Sequence, residues 1–238
     1  WCGVDRFLMF NGVVRDVDNQ MNTNYFFDNL NYSQRMKVFA FKVPRFGEIW
    51  WCYPSGESTE PDRAVIYNVR ENCWYDTALP NGGRGAGIFP TVFRRPLLTG
   101  VVDNGIGYKL WVHEIGTDEV DGADTNPIPS YFETADISLP IQAGDNRSLQ
   151  VITIEPDFVQ AGDMTVQVKG RANARAPEID GEIMTFPDTA TSVSEQIVNF
   201  KEGRRQLRFR FESNCVGGNY EMGHVLAHVR PADGRTTG

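Results

Sequence analysis

EIWWCYPSGESTEPDRAVIYNVRENCWY, residues 48–75, carries three of the five tryptophans and two of the four cysteines of a 238-residue chain. Three readings compete for it: a carbohydrate cleft, a metal site, or one well-packed piece of β-sheet. Alternation weakens the first. In EIWWCY (48–53) Trp50 and Trp51 are adjacent, so in an extended strand they point to opposite faces and cannot form one flat platform. RAVIYNV (63–69) and NCWYD (72–76) are further short apolar runs, and MKVFAFKV (36–43) precedes them across Pro44-Arg45-Phe46-Gly47. The stretch predicts the later strands of a four-stranded antiparallel unit whose aromatics pack it on its neighbours.

The rest of the chain repeats this texture. Helical periodicity is nearly absent, and short apolar runs end at Gly, Pro, Asn and Asp. Asn11-Gly12 inside RFLMFNGVVR (6–15) predicts a hairpin with a type I′ turn. TVFRRPLLTGVV (91–102), Asp103-Asn104-Gly105 and YKLWVHEI (108–115) predict another. RFLMFNG, RAVIYNV and YKLWVHE share a polar start, an apolar middle and an aromatic near the end (Phe10, Tyr67, Trp111), a loose repeat of the kind that propeller blades leave. TDEVDGADTNPIPS (117–130) is an acidic, Gly- and Pro-bearing break. Beyond it, SLQVITIEPDF (148–158), DMTVQVKGRA (163–172), EIMTFP (182–187), QLRFRFES (206–213) and HVLAHVRP (224–231) read as strands of a sandwich. The expected fold is all-β: propeller-like antiparallel blades over residues 1–120, closed by material preceding the chain, then a β-sandwich-like domain over 121–238.

Composition narrows the function. Apolar residues are 41% of the chain and no run approaches the roughly 20 residues of a membrane helix, so no membrane span is expected. A net charge of −8 argues against wrapping nucleic acid through its phosphates, but does not exclude a protein that must let DNA pass without sticking. Cys2, Cys52, Cys73 and Cys215 have neither CxxC nor zinc spacing and read as reduced thiols. The chain starts at Trp1, which suggests the C-terminal part of a longer polypeptide.

Few constellations point to chemistry. His224 and His228 fall on one strand face without a third ligand. Asp118, Glu119, Asp121 and Asp124 do not keep the EF-hand order. GGRGAG (82–87) lacks the Lys-Ser/Thr of a phosphate cradle, and there is no GxSxG or HExxH. Asn31-Tyr32-Ser33 and Asn146-Arg147-Ser148 match glycosylation sequons. In QLRFRFES, Leu207, Phe209 and Phe211 share one face while Arg208 and Arg210 share the other. With Arg204 and Arg205 they form a basic cluster, read either as a solvated outer face or as a subunit interface that meets carboxylates of a neighbouring copy.

Several stretches carry a resemblance: FNGVVRDV, VFAFKVPRFGEIWWCYPSG, STEPDRAVIYNVRENCWY, HEIGTDEVDG, IPSYFETADISL, IEPDF and GRRQLRFRFES…GHVLAHVRPADGR. Together they resemble the tail nozzle or hub proteins of short-tailed bacteriophages, the packaged-DNA stabilisation type, in order from about residue 3 to 235. The chain departs from that pattern in its cysteines and in RANARAPEIDGE (171–182). The resemblance implies a non-enzymatic virion protein, without cofactor, catalytic residue or metal, assembled in the host cytoplasm. It would form a homo-oligomeric ring, commonly a hexamer, at the distal end of the tail. The ring would line or plug the exit channel for double-stranded DNA, beside the tail adaptor and tail fibres. On that reading Asp118, Glu119, Asp121 and Asp124 are candidate channel-lining acids, with Glu178, Asp180 and Glu182 next. The alternative is a receptor- or carbohydrate-binding, even glycan-degrading, β protein that uses Trp50, Trp51 and Trp74.

Overall fold

The computed structural model describes residues 1–18, 25–103, 105, 107–138, 148–173, 175–188 and 197–232. Asn104 of one expected turn and Asn146 of one sequon lie outside them. The described residues are mostly strand. Their helices are a five-residue α1 (Tyr25–Asn29) and a 3-10 turn at Tyr32–Lys37, both too short to cross a membrane. The chain divides into two compact units, Trp1–Ile115 and Gly116–Gly238.

The first unit is built on the sheet β3 (Phe39–Val43), β4 (Glu48–Tyr53), β5 (Arg63–Asn68) and β6 (Cys73–Ala78), an antiparallel meander in that order. Its register runs Phe41, Trp50, Ile66 and Tyr75 along one face, and Ala40, Trp51, Val65 and Asp76 along the other. Both faces are covered. Phe7, Phe26 and Phe27 from the N-terminal segment pack on Trp51, Tyr53, Val65 and Trp74. On the opposite face Phe41, Trp50, Cys52 and Ile66 meet Leu79 and Leu98. β4 therefore reads as a continuous apolar run, as two-sided burial requires.

Leu98 belongs to the sheet β7 (Arg84–Ile88), β8 (Leu97–Asp103) and β9 (Tyr108–Val112). β7 lies in the glycine-rich stretch that gave no strand signal, and its glycines let β3 come close: a Cβ at Gly87 would sit 2.9 Å from the Phe41 ring. At the N-terminus β1 (Leu8–Phe10) pairs with β2 (Val14–Asp16), joined by the three residues Asn11, Gly12 and Val13. The expected hairpin is there, but only Gly12 has positive φ, so its turn is not type I′. The three repeat-like segments fall on non-equivalent strands: β1 of a two-stranded ribbon, the inner strand β5 and β9.

In the second unit the acidic stretch is a two-stranded hairpin, β10 (Asp118–Asp121) with β11 (Asp124–Pro127), rather than a loop. Two larger sheets follow. One orders β12 (Ser130–Glu133), β18 (Gln206–Ser213), β14 (Met164–Arg171) and β15 (Ile179–Phe186). The other sets β13 (Ser148–Ala161) between β19 (Asn219–Ala232) and the short β16 (Val198–Asn199) and β17 (Gly203–Arg204). The two share one core, with Leu149, Val151, Ile154 and Phe158 against Val166, Val168, Leu207, Phe209 and Phe211. An extra residue at Ile152 bulges β13, so the inward set steps from Leu149 and Val151 to Ile154 and Phe158.

Two stability outcomes follow from the buried meander. Trp51→Ala should cost roughly 3–5 kcal/mol in denaturant unfolding, because it opens a cavity among Phe7, Trp74 and Val65. Tyr53→Phe should cost nothing or stabilise, since its fully buried hydroxyl has no hydrogen-bond partner among the described residues. A loss below 1 kcal/mol in the first variant would contradict the two-sided burial.

Candidate functional site

Side chains with the potential for chemistry gather in three places. The first is the polar core of the meander's β8-facing side. Glu48 is buried at the start of β4 and accepts hydrogen bonds from Trp50 Nε1 (2.8 Å) and from the Tyr75 hydroxyl. Burial, then that carboxylate, push the Tyr75 hydroxyl upward. Arg84, only 2% exposed, donates to the carbonyls of Pro80 (2.7 Å) and Gly83 (3.0 Å), lies over the Trp111 ring, and donates through Nε to His113 Nε2 at 3.2 Å. His113 meets Trp50 edge-on. Loss of hydration, helped by Arg84, depresses its pKa to about 4, so it is neutral at physiological pH. These groups are spent on one another inside the sheet packing, and the arrangement stabilises buried charge rather than presenting it to a substrate.

The tryptophans of the opening stretch are equally committed. Trp50, Trp51 and Trp74 are 3%, 6% and 7% exposed. Trp51 and Tyr67 both stack on Trp74, whose Nε1 donates to the Asp18 carbonyl at 2.7 Å. Trp50 faces the other way. They offer no platform to a sugar.

The second place is the basic cluster on β18 and the turn before it. Its alternation is as the sequence implies: Leu207, Phe209 and Phe211 are buried and the arginines face out. Arg208 contacts Asp136 (2.7 Å), Glu133 (2.8 Å) and Glu178 (3.4 Å), and holds the Asp136 carboxyl below the usual carboxylate range. Arg210 pairs with Glu212 (3.0 Å) and Glu133 (3.5 Å) and stacks over Tyr131. Arg204 meets Glu202 at 3.5 Å. Arg205 stands beside them with no carboxylate within ion-pair distance among the described residues. A subunit contact through Arg208 or Arg210 would have to recruit cations already matched within the chain.

The acids divide in the same way. Asp118 accepts the Gly217 N–H through both carboxylate oxygens, at 2.8 and 3.0 Å, and so anchors the hairpin to the β18–β19 connection. Glu119 and Asp121 are half-buried, and Asp124 is exposed. Glu178 is engaged by Lys169, Arg171 and Arg208, Asp180 by Lys169, and Glu182 is exposed. His228 pairs with Glu155 at 3.0 Å, and the described residues contain no group of three or more ligands able to hold a metal. All four cysteines are free; Cys52 pairs across to Ala64 while Cys73 pairs to Asn68, at opposite ends of β5. Burial pushes the Cys52 thiol up to about 12.

The third place is a groove that the sequence reading passed over. Pro44, Arg45, Phe89 and Arg94 line an open cavity of about 560 Å³. Its only sequence signal was the Phe-Arg-Arg run at 93–95, read instead as strand. Charge is also unevenly shared: residues 1–115 hold 12 Lys/Arg and 12 Asp/Glu, and residues 116–238 hold 11 and 19, so the whole excess of eight lies in the second unit. No family model matches the chain, and no curated protein matches it.

The His113–Arg84 contact sets a pH dependence. His113 in the folded unit binds its proton only near pH 4, whereas an unfolded histidine does so near 6.5. The unfolded state therefore takes up more protons between these values. This contribution to stability is complete above about pH 6.5, falls as pH drops towards 4, and amounts to at most roughly 3 kcal/mol. His113→Gln, which keeps an acceptor for Arg84, should flatten that part of the profile in denaturant titrations. An unchanged slope would remove His113 as its source.

Proposed function

We propose that the chain is a structural part of a short bacteriophage tail, within a homo-oligomeric nozzle or hub ring that lines or plugs the DNA exit channel. It does no catalysis in this reading. Its neighbours are its own copies, the tail adaptor and tail fibres. The all-β architecture supports it, with the stacked sheets of residues 1–115 as blade-like layers and the shared core of 116–238 as a sandwich. So do the motif resemblances that run along the chain.

The observation that carries the assembly reading is the open face of the sheet β7–β8–β9. Ile88, Leu97 and Val112 are directly opposite one another in its register, next to the row Thr99 and Leu110, with Tyr108 beyond. Ile88, Tyr108, Leu110 and Val112 are all exposed. A contiguous apolar sheet face of this kind is what an interaction surface looks like before it is covered. A cleft of the sort that small ligands need has no counterpart around the buried tryptophans.

The acidic second unit suits passage of a duplex, because fixed negative charge repels the phosphates instead of holding them. Asp118, Glu119, Asp121 and Asp124 are its candidates for that wall, with Glu178, Asp180 and Glu182 next; Asp118 also accepts the Gly217 N–H.

Antibodies raised against the chain should label the distal tip of the tail in particles that contain it, and bound antibody should slow DNA release. Labelling of the capsid, or absence of the chain from purified particles, would overturn the proposal.

A further inference from the structure

The groove of the first unit is held in shape at its edges, and Phe89 in its lining packs against the core of the meander. Arg70 donates to the carbonyls of Pro44 (2.9 Å) and Arg45 (3.0 Å) and so clamps the β3–β4 turn. Its side chain lies across Gly47, where a Cβ would come within 2.7 Å of Arg70 Cγ. Arg45 rides over the Phe46 ring. On the other wall Arg94 sits at φ +54°, a left-handed conformation that residues with side chains rarely hold. Neither Arg45 nor Arg94 has a carboxylate partner among the described residues. Pro44 and Phe89 complete the lining, and Val92 and Phe93, between Phe89 and Arg94 in the chain, are exposed. A strained arginine where glycine would sit more easily points to a task for its side chain. Two arginines beside Pro44 and Phe89 have the composition of an interface centre.

Charge selects the occupant. A duplex requires a basic surface along its length, and residues 1–115 are neutral overall. A protein surface that offers one or two carboxylates beside apolar groups fits the pair of guanidinium forks. Residues 116–238 carry the whole excess of eight acids and come with every copy of the chain. We propose that this groove receives carboxylates from residues 116–238 of a neighbouring copy, giving a head-to-tail contact of the kind that closes rings. The proposal rests on the ring reading and names one of its interfaces.

The test is sedimentation of the full chain over a range of salt, as wild type, Arg94→Gly and Arg45→Ala. Glycine accepts φ +54°, so Arg94→Gly should fold as well as the wild type, with an equal or higher Tm. Expected is wild-type self-association that weakens as salt rises, with each variant about tenfold or more weaker at low salt and less dependent on salt. Variants that associate like the wild type would overturn the groove contact and leave the ring reading standing. A wild type that stays monomeric at every salt would remove both. If a duplex DNA probe bound the wild type and lost affinity in the variants while self-association persisted, the occupant would be DNA and the proposal would fail.

Discussion

Two adjacent tryptophans on β4 set the terms for the first unit. Because neighbouring residues of a strand face opposite ways, Trp50 and Trp51 require a covering layer on each side of the meander. One layer comes from the N-terminal segment through Phe7, Phe26 and Phe27, the other from the sheet that contains Leu98. Once both faces are closed, polar groups caught between them take partners, the Tyr53 hydroxyl excepted. Glu48 finds Trp50 and Tyr75, Arg84 finds carbonyls, His113 and the Trp111 ring, and Trp74 finds the carbonyl of Asp18. A cluster that could pass for a site of chemistry is thus the polar cost of burying a sheet twice.

Much of this was legible in the sequence, and the exceptions are instructive. EIWWCY became β4 to the residue, and QLRFRFES became β18 with its arginines outward, because alternation within a strand is a local property. The bulge in β13 was not legible, since it depends on the partner strand and on which face the core lies. β7 was missed because Gly85 and Gly87 make room for neighbours, Val101 and the Phe41 ring, and leave no apolar signal of their own. The short α1 helix was missed because its five residues are held by Phe26 and Phe27 in the core rather than by helical periodicity. Of the candidate site residues, sequence placed the charges of β18 on one face. Their ion pairs with Glu133, Asp136 and Glu178 join residues 30 to 77 positions apart, which no local pattern reveals.

The two units differ in what they leave open. The second balances most of its outward arginines internally, so its surplus is acidic. The first is neutral overall; Arg45 and Arg94, from separate turns, meet at one groove, and Ile88, Tyr108, Leu110 and Val112 leave one sheet face apolar. An arginine-lined groove in one unit and an acidic surplus in the other are what the proposed contact between copies would use. That is the physical content of reading the protein as a building element.

Negative-stain images of the purified full-length chain at low salt test this most directly. The account predicts closed particles with rotational symmetry and a central opening. A field of single, dispersed chains at high protein concentration would contradict it.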